Sequence, residues 1–519
     1  MLVKTYAGAV EGIEATIVTV EVSAGGTILD DKKNFYFLVG LPDKAVIEGW
    51  QRIEAAFRNC RLKIDRVKLV VNLAPADLRK EGSSYDLPIA LGIYAASNNL
   101  HLPELERFII MGEMSLDGGV RAIKGVLPIA IEAKKNKFRG LIVPKENARE
   151  AAIVSDIEVY GVENLREAID LLEGRSELKP TIVDTRAEFS KQNNHYAIDF
   201  SDVRGQENIK RALEIAASGG HNAILIGPPG AGKTMLAQRL PTILPPMTLQ
   251  ESLETTKIHS VAGILPTDAA LVAVRPFRSP HHTISDVALV GGGQIPRPGE
   301  ISLAHNGVLF LDELPEFKRT VLEVLRQPME ERRVTISRAK ISTDYPASFI
   351  LLASMNPCPC GYYNHPEKQC VCGTQNVKKY LNKISGPLLD RIDLHVEVTP
   401  VKLEELAKYH STAERSDKIA ARVVKAREIQ AERFKHIKGL YCNAQMPSKM
   451  VREVCRINDE GTTTLKNAME RFKLSARAFD RILKVARTAA DLENCIDIQS
   501  HHLAEAIQFR SLDRENWAG

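Results

Sequence analysis

The chain has 519 residues, enough for about three domains of ordinary size that each bury a core of their own. Hydrophobic residues make up 44% and charged residues 26%, values near the average of soluble globular proteins that exclude a disordered or fibrous chain. The net charge of +4 is too small to identify a nucleic-acid partner, so any surface for DNA has to be local.

The distribution of apolar residues and cysteines bears on the compartment. No uninterrupted apolar run approaches the ~20 residues that cross a bilayer, and residues 1–15 lack the basic-then-apolar order of a secretory signal. Four of the eight cysteines fall within residues 358–372, which favours a metal site in a reducing compartment over a disulfide framework. We therefore expect a cytoplasmic protein with no membrane partner.

The first part of the chain alternates short β-rich runs with helical stretches. The predicted strands are 16–22, 35–41, 67–73, 108–111 and 140–144, and the predicted helices include 44–59 and 88–97. This pattern predicts one α+β domain over residues 1–172. Residues 173–195 are charged and polar without apolar periodicity, which is typical of a linker.

A second domain, over residues 196–400, has the pattern of an α/β core. Short apolar runs at 223–226, 308–311 and 349–353 predict buried strands. After residue 400 the strand signals end, and helical patterns such as 476–492 predict a helical lid domain over residues 401–519. The fold class is therefore α/β.

A complete phosphate-loop pattern follows the first of these strands and opens a helix. The loop consists of Gly227, Pro228, Pro229, Gly230, Ala231, Gly232, Lys233 and Thr234. Its glycines let backbone N–H groups wrap phosphates, its lysine supplies charge to the outer phosphates, and its threonine binds Mg²⁺. The sequence predicts an ATP site with Mg²⁺ as cofactor.

Two acids end the next apolar strand, about 80 residues downstream, by the spacing that phosphate-loop enzymes use. Asp312 is placed to hold Mg²⁺. Glu313 is placed to accept a proton from the attacking water. By themselves, two acids after a strand are more often a solvated strand end, and the phosphate loop is what favours the catalytic interpretation.

Three longer motifs carry a resemblance to a known family. They are residues 275–284, Arg-Pro-Phe-Arg-Ser-Pro-His-His-Thr-Ile, residues 291–304, Gly-Gly-Gly-Gln-Ile-Pro-Arg-Pro-Gly-Glu-Ile-Ser-Leu-Ala, and residues 312–317, Asp-Glu-Leu-Pro-Glu-Phe. In these the chain resembles the ComM/YifB-like branch of the magnesium-chelatase-related AAA+ ATPases, and the similarity runs over nearly the whole length.

The resemblance implies roles for three further residues. Asn356 matches the sensor 1 position that hydrogen-bonds the γ-phosphate or the attacking water. Arg391 matches the arginine finger offered to a neighbouring subunit, and Arg477 matches sensor 2. The residues alone leave other interpretations open: a salt bridge from Arg391 to Asp390 or Asp393, and a solvated helix face for Arg477.

The resemblance also implies a Lon-protease-like fold for residues 1–172. Ser84 falls at or near the position of the Lon nucleophile, which needs a lysine as its base. Leu127 and Ile129 stand where that lysine is expected, and Lys124 is shifted. We expect a domain without protease activity that serves assembly or contact with a partner.

The clustered cysteines Cys358, Cys360, Cys370 and Cys372 lie directly after Asn356. Four thiolates close a tetrahedral Zn²⁺ site with no open position for catalysis. The C-x-C spacing is tighter than is usual for zinc, so two alternatives stay open: reduced cysteines without a ligand, and another metal or a redox role.

Residues 331–342 have the alternation of a hairpin, with Arg338 and Lys340 at its bend. In the family that the chain resembles, such a hairpin faces the central channel of a ring, where cations hold a phosphate backbone without reading sequence. An ordinary solvated turn is the alternative. The segment with Arg275, Arg278, His281 and His282 is a second candidate for DNA contact.

The leading hypothesis is a hexameric DNA helicase or translocase that hydrolyses ATP. The resemblance implies that it acts on single-stranded or branched DNA, promotes branch migration during recombination of incoming DNA in natural transformation, and works with recombination proteins. The alternative is a motor that remodels a protein partner, like the magnesium chelatase motor subunit. A scaffold that only binds is disfavoured because Lys233, Asp312 and Glu313 are all intact.

Overall fold

The computed structural model describes most of the chain, namely residues 1–27, 36–64, 67–192, 196–266, 269–293, 296–337, 342–363, 365, 367–400, 413–472, 474–510 and 512. The chain forms two compact units. The first comprises Met1–Asn193 and Leu249–Ala273, and the second comprises Asn194–Thr248 and Val274–Gly519. Within the described ranges, no helix has both the length and the apolar character needed to span a membrane.

The first unit is built on a mixed sheet. Its strands are β1 (Leu2–Glu11), β2 (Glu14–Thr27), β3 (Tyr36–Val39), β4 (Val67–Ala74), β5 (Phe108–Ile110), β6 (Glu113–Met114), β7 (Val120–Arg121), β8 (Gly140–Pro144) and β9 (Glu158–Val162). Seven of them form one sheet in the order β3-β4-β2-β1-β5-β8-β9. The pairs β1–β2 and β2–β4 are antiparallel, whereas β5, β8 and β9 pair in parallel. Every residue of β5 and β8 is buried, as expected for apolar parallel strands covered on both faces.

The described part of the first unit contains seven α-helices, and side chains cap the N-termini of at least two of them. They are Lys44–Asn59, Asp86–Ser97, Val126–Lys135, Lys145–Ala151, Leu165–Leu172, Thr185–Gln192 and Leu249–Ala262. Asp43 and Asn164 each accept a backbone N–H bond at a helix N-terminus, which satisfies donors that the helix itself leaves open. Thr185–Gln192 lies in the stretch that the sequence predicts as a linker, because its polar composition carries no helical apolar stripe.

The segment Leu249–Ala273, which begins with the helix Leu249–Ala262, belongs to the first unit although the chain on both sides of it belongs to the second. The Ser260 hydroxyl donates a hydrogen bond to the buried Glu150 carboxylate. Leu271, which follows this helix, packs with Leu127 in a small apolar cluster. Residues 249–273 thus lie within the predicted second domain in sequence but pack as part of the first unit.

The second unit is built on a five-stranded parallel sheet. Its strands are β10 (Ala223–Ile226), β11 (Phe277–Arg278), β14 (Val308–Leu311), β17 (Ile350–Met355) and β18 (Leu394–Glu397), and the short strands β12 (Gly291–Gly292), β13 (Arg297–Pro298), β15 (Arg333–Ser337) and β16 (Ser342–Pro346) form two hairpins. The sheet order is β11-β14-β17-β10-β18. The pairs within it are all parallel, so the carboxyl ends of the strands meet at one edge, where ligands bind in open α/β sheets.

Helices surround this sheet and make up the end of the chain. They are Glu207–Gly219, Lys233–Arg239, Asp286–Val290, Glu300–Leu303, Arg319–Glu323, Arg326–Glu331, Thr374–Leu381, Gly386–Leu389, Ser416–Phe434, Ser448–Val454, Asp459–Phe472, Ala476–Leu492 and Ser500–Gln508. Ile482 and Ala486 of Ala476–Leu492 share one apolar core with Leu225 and Phe310 of the sheet. The α/β prediction is confirmed at the level of a mixed α/β chain with parallel strands.

Candidate nucleotide-binding site

The phosphate loop connects β10 to the helix Lys233–Arg239. Gly230 and Gly232 have φ angles of 77° and 82°, in the left-handed region that favours glycine. At Gly227 a Cβ atom would lie 2.4 Å from the carbonyl oxygen of Val398, so no side chain fits there. The glycines of the motif are therefore required by the backbone path itself.

Lys233 is held at the mouth of the loop by three acceptors. Its Nζ donates to the carbonyl oxygens of Gly227 at 2.7 Å and Pro228 at 3.0 Å, and to Oδ1 of Asn356 at 3.1 Å. Burial lowers the pKa of Lys233, and the nearby carboxylates of Asp312 and Glu313 oppose that shift. The ammonium group thus lies between the loop and the end of β17.

Asp312 bridges two hydroxyl groups. Thr234 Oγ1 donates to Asp312 Oδ2 at 2.8 Å, and the Ser354 hydroxyl donates to Asp312 Oδ1. A hydroxyl and a carboxylate oxygen in contact are donors of the kind that Mg²⁺ takes beside nucleotide phosphates. These two residues fit the predicted magnesium ligands, and Ser354 fixes the orientation of the carboxylate.

Glu313 follows Asp312 in a left-handed backbone conformation, with a φ of 54°, which is uncommon for a residue with a side chain. Its Oε2 lies 3.6 Å from Nδ1 of His282. The His282 ring in turn stacks at a tilt on His281, with 4.1 Å between centroids. The Glu313 carboxylate thus contacts His282, whereas the Asp312 carboxylate contacts Thr234 and Ser354.

These residues share one cavity of about 400 Å³ at the carboxyl edge of the sheet. Its lining residues come from the phosphate loop, the end of β14 and the end of β17: Pro229, Gly230, Ala231, Gly232, Lys233, Thr234, Met235, Asp312, Glu313, Ser354, Met355 and Asn356. The arrangement places a cation, a hydroxyl, two carboxylates and an amide around a space suited to a polyphosphate with its metal ion.

The four clustered cysteines converge directly after β17. Their sulfur atoms all lie within 4.8 Å of one another, with Cys358 to Cys360 at 3.3 Å, Cys358 to Cys370 at 3.7 Å and Cys360 to Cys370 at 3.6 Å. A regular tetrahedron with Zn–S bonds of about 2.3 Å has sulfur separations of about 3.8 Å. The donor set therefore fits a closed thiolate site for zinc.

The two arginines from the resemblance lie outside the lining of the 400 Å³ cavity, as far as the described residues define it. Arg391 pairs with Glu330, Nη2 to Oε1 at 2.7 Å, and donates from Nη1 to the Pro387 carbonyl. Arg477 is largely exposed and lies 3.8 Å from Asp390. The sequence left open a pairing of Arg391 with Asp390 or Asp393, and Glu330 is the carboxylate found in contact with it.

The two hairpin residues named for DNA contact lie outside the described part of the chain, whereas the second candidate segment, with Arg275, Arg278, His281 and His282, lies within it. Arg338 and Lys340 fall between β15 and β16. The strands on either side pair in antiparallel register, from Arg333 opposite Pro346 to Ser337 opposite Ser342. The predicted hairpin strands are thus present, and the role of the bend stays a prediction.

The first unit has apolar side chains where a Lon-type base is expected. Leu127 is buried in an apolar cluster and Ile129 packs on Gly8. The segment near Ser84 is tied down by other bonds, because the Ser83 hydroxyl donates to Glu113. A nucleophilic serine without a base to accept its proton is inactive.

The sequence analysis missed Ser354 and His282 as neighbours of the catalytic carboxylates. The Ser354 contact depends on the pairing of β14 with β17, in which Leu311 lies opposite Ala353. Parallel pairing of distant strands leaves no local sequence signal. His282 lies in the motif of residues 275–284, and nothing in that motif indicates that it contacts Glu313.

Known families match three consecutive regions of the chain. Residues 26–147 match the family described as subunit ChlI of Mg-chelatase, residues 199–406 match magnesium chelatase, subunit ChlI, and residues 413–510 match the C-terminal part of that subunit.

Similarity to individual proteins extends over almost the full length. The chain is 44% identical over 514 residues to competence protein ComM of Haemophilus influenzae, covering 98% of this chain and 97% of that protein. It is 41% identical over 506 residues to the YifB protein of Escherichia coli, covering 97% and 96%. The chain belongs to the ComM/YifB family of magnesium-chelatase-related AAA+ proteins. The resemblance inferred from the motifs is therefore confirmed.

A more distant relative of this ComM/YifB chain is the 38 kDa subunit of magnesium chelatase from Rhodobacter capsulatus. The two are 26% identical over 177 residues, which is 30% of this chain and 50% of that protein. Membership of a magnesium-chelatase-related AAA+ family indicates ATP binding with Mg²⁺ and suggests an ATPase, and the cavity described above holds the residue types for both.

Proposed function

We propose that the protein is an ATP-hydrolysing motor that moves along DNA and drives branch migration during recombination of incoming DNA in natural transformation. The observation that carries the proposal is the convergence of Lys233, Thr234, Asp312, Glu313 and Asn356 on one cavity. The 44% identity to a competence protein over nearly the whole chain supports the choice of DNA as the track. The motor would act in the cytoplasm with recombination proteins.

In the proposed reaction, Lys233 would neutralise charge on the outer phosphates, and Thr234 and Asp312 would supply oxygen ligands to Mg²⁺. Glu313 accepts the proton of the attacking water, and its exposed carboxylate has room to receive a water molecule. Asn356 orients the γ-phosphate or the water from the opposite wall. Its contact with Lys233 Nζ, at 3.1 Å, places its amide beside the phosphate charge.

Two arginines would complete the site, and Arg391 would do so across subunits of a hexameric ring. Arg391 acts as the finger toward the nucleotide of a neighbour, and Arg477 acts as sensor 2. Support comes from the position of Arg391 outside the lining of its own chain's cavity, within the described residues. For this role Arg391 would release Glu330, which its Nη2 contacts at 2.7 Å, and bind a phosphate, an anion that a guanidinium also recognises.

The bend between β15 and β16 would supply the contact with DNA. Arg338 and Lys340 would hold the phosphate backbone in the channel of the ring, independent of base sequence. The antiparallel pairing of Arg333–Ser337 with Ser342–Pro346 supports the prediction of a hairpin here.

The remaining parts of the chain receive roles by the same proposal. Residues 1–172 form a Lon-protease-like domain without protease activity, residues 173–195 link it to the AAA+ core of residues 196–400, and residues 401–519 form a helical lid. Leu127 and Ile129 support the loss of protease activity. Cys358, Cys360, Cys370 and Cys372 bind one structural Zn²⁺ per chain, as their sulfur separations allow.

A motor that remodels a protein partner is the second candidate. The matches to ChlI families and the likeness to the Rhodobacter chelatase subunit favour it. The proposed catalytic residues do not distinguish a DNA motor from a protein-remodelling motor, because both kinds of motor hydrolyse ATP by the same chemistry.

ATPase rates with and without DNA distinguish the candidates. We expect Mg²⁺-dependent hydrolysis that single-stranded or branched DNA accelerates at low salt, with the acceleration lost as salt is raised. An unchanged rate across DNA types and salt concentrations, in protein assembled into rings, would favour the protein-remodelling function.

A further inference from the structure

The cysteine loop, residues 358–372, packs directly on the phosphate loop. Gly361 lies between its first and last pairs of cysteines and has a φ of +84°. A Cβ atom at this position would lie 2.5 Å from Cδ of Pro229, which is the third residue of the phosphate loop. Only glycine therefore fits here, both for its backbone conformation and for the close approach of the proline ring.

A second connection runs through the chain itself. Asn356 ends β17 two residues before Cys358, and Cys358 is fully buried against Val377. Asn356 Oδ1 accepts from Lys233 Nζ at 3.1 Å. The residue proposed to orient the γ-phosphate is thus separated by one proline from a sulfur that would be a metal ligand.

A third observation is a shared cavity. A space of about 530 Å³ has Glu313 and Asn356 on one side and Pro359 and Cys372 on another. Lys383 and Glu316 also line this cavity, and Lys383 Nζ pairs with Glu316 Oε1 at 3.1 Å, which joins the chain after the helix Thr374–Leu381 to the turn after Glu313. The cysteine loop is therefore a wall of the reaction site rather than a distant stabilising element.

We propose that a zinc ion in the cysteine loop controls ATP hydrolysis rather than ATP binding. The inference rests on the zinc assignment proposed above. The metal ties Cys358 and Cys360 to Cys370 and Cys372, which fixes the backbone that carries Asn356 on one side and Gly361 on the other. The phosphate cradle is formed by the phosphate loop itself, so nucleotide affinity depends little on the metal.

We expect removal of the metal to lower kcat and to leave the affinity for ATP nearly unchanged. Removing the metal lowers kcat by about tenfold or more, the size of effect that groups orienting a reactive site have. The affinity for ATP, measured with a fluorescent analogue, changes by less than about twofold, since Lys233 and the loop glycines remain in place. Adding Zn²⁺ back restores kcat.

Cobalt provides a spectroscopic test on the full-length protein. Co²⁺ replacing Zn²⁺ in a tetrahedral thiolate site gives intense visible bands, which report the geometry of the sulfur atoms. We expect these bands to shift when saturating ATP binds to the Glu313→Gln variant, because Pro229 of the phosphate loop touches the cysteine loop. The Cys495→Ser variant, which changes a cysteine outside the loop, is the control. We expect it to show the same cobalt bands and the same shift on ATP binding.

The Gly361→Ala variant tests the contact between the cysteine loop and Pro229 without changing a zinc ligand. This variant keeps all four cysteines and should keep one zinc per chain, while its added methyl group displaces Pro229. We expect a drop in kcat with the zinc content unchanged, measured without DNA so that the result is independent of the proposed track. Cys370→Ser should bind no zinc and should hydrolyse ATP with a lower kcat. If this variant does not fold, the kcat of Gly361→Ala and the cobalt spectra test the proposal instead.

Each outcome has a definite meaning. Absence of zinc by elemental analysis, together with absence of cobalt thiolate bands, overturns the zinc assignment and the control that rests on it. If zinc binds but its removal leaves kcat unchanged, or if the cobalt bands do not shift when ATP binds, the zinc assignment stands. The proposed control of hydrolysis by zinc is then wrong. Normal kcat in Gly361→Ala would contradict the packing argument.

Discussion

Ser354 illustrates how a single hydroxyl orients the site. It is fully buried and donates to the Asp312 oxygen that Thr234 does not engage. Removing this bond leaves the carboxylate free to turn away from the metal position. Orienting contacts of this kind typically account for about 10–100-fold in metal affinity or activity.

We predict that Ser354→Ala raises the Mg²⁺ concentration for half-maximal ATPase activity about tenfold or more, the range for such contacts. A magnesium titration of ATPase activity measures it. Ser302→Ala is the matched control, since its hydroxyl is also fully buried and has no hydrogen-bond partner among the described residues. Equal magnesium dependence in the two variants would contradict the role of Ser354.

Glu313 differs from Asp312 in its conformation and its surroundings. Its left-handed backbone turns the side chain toward His282, away from the Thr234 and Ser354 hydroxyls that hold Asp312. The two adjacent acids thus differ in their contacts, which fits the different roles that we propose for them, Asp312 at the metal and Glu313 at the attacking water.

We predict that Glu313→Gln binds ATP but hydrolyses it at least about 100-fold more slowly, the usual contribution of a general base. ATP affinity by equilibrium binding and phosphate release by a coupled assay measure the two properties. Glu460→Gln, an exposed glutamate on the helix Asp459–Phe472, should behave like the parent. Normal turnover in Glu313→Gln would mean that another group activates the water.

At the scale of elements, the local parts of the site were predictable and the non-local parts were not. The phosphate loop combines strand, glycine loop and helix in one short segment, so its pattern is readable from sequence. The excursion of residues 249–273 into the first unit has no such signal, because the helix Leu249–Ala262 is defined by what it packs on. The contact between Gly361 and Pro229 joins segments more than a hundred residues apart and needed the structure.

The hairpin of β15 and β16 carries the element-scale prediction. Arg338→Ala combined with Lys340→Ala should preserve basal ATPase activity and abolish its stimulation by DNA, since the bend is proposed as the track contact. The slope of log affinity against log salt should fall by about 1.4–1.8 for two lost phosphate contacts.

DNA binding measured across a salt series tests this prediction. The double variant Lys435→Ala with Lys438→Ala is the matched control, as it removes two exposed cations from the same unit. A hairpin variant with parental DNA affinity and salt slope would place the track elsewhere, with the segment of Arg275, Arg278, His281 and His282 as the next candidate.

At the scale of the whole molecule, Arg391 is the residue that we propose to act across the interface between two subunits of a ring. The Arg391 guanidinium contacts Glu330 and the Pro387 carbonyl, and Arg391 is not among the described residues that line the 400 Å³ cavity of its own chain. We therefore assign its proposed role in hydrolysis to the nucleotide of a neighbouring subunit.

We predict that Arg391→Ala abolishes hydrolysis and leaves the ATP affinity of isolated subunits nearly intact. Mixing it with Lys233→Ala should recover part of the activity, because some interfaces then combine an intact finger with an intact phosphate loop. Mixed rings that form normally and show no recovery would contradict a role across the interface.

The most direct test of the account is movement of a synthetic four-way DNA junction by the purified protein. With ATP and Mg²⁺, the parent should branch-migrate the junction into its duplex products, while Glu313→Gln should bind the junction and leave it unmoved. A parent protein that assembles into rings and hydrolyses ATP, yet neither binds the junction at low salt nor moves it, would contradict the account of a DNA motor.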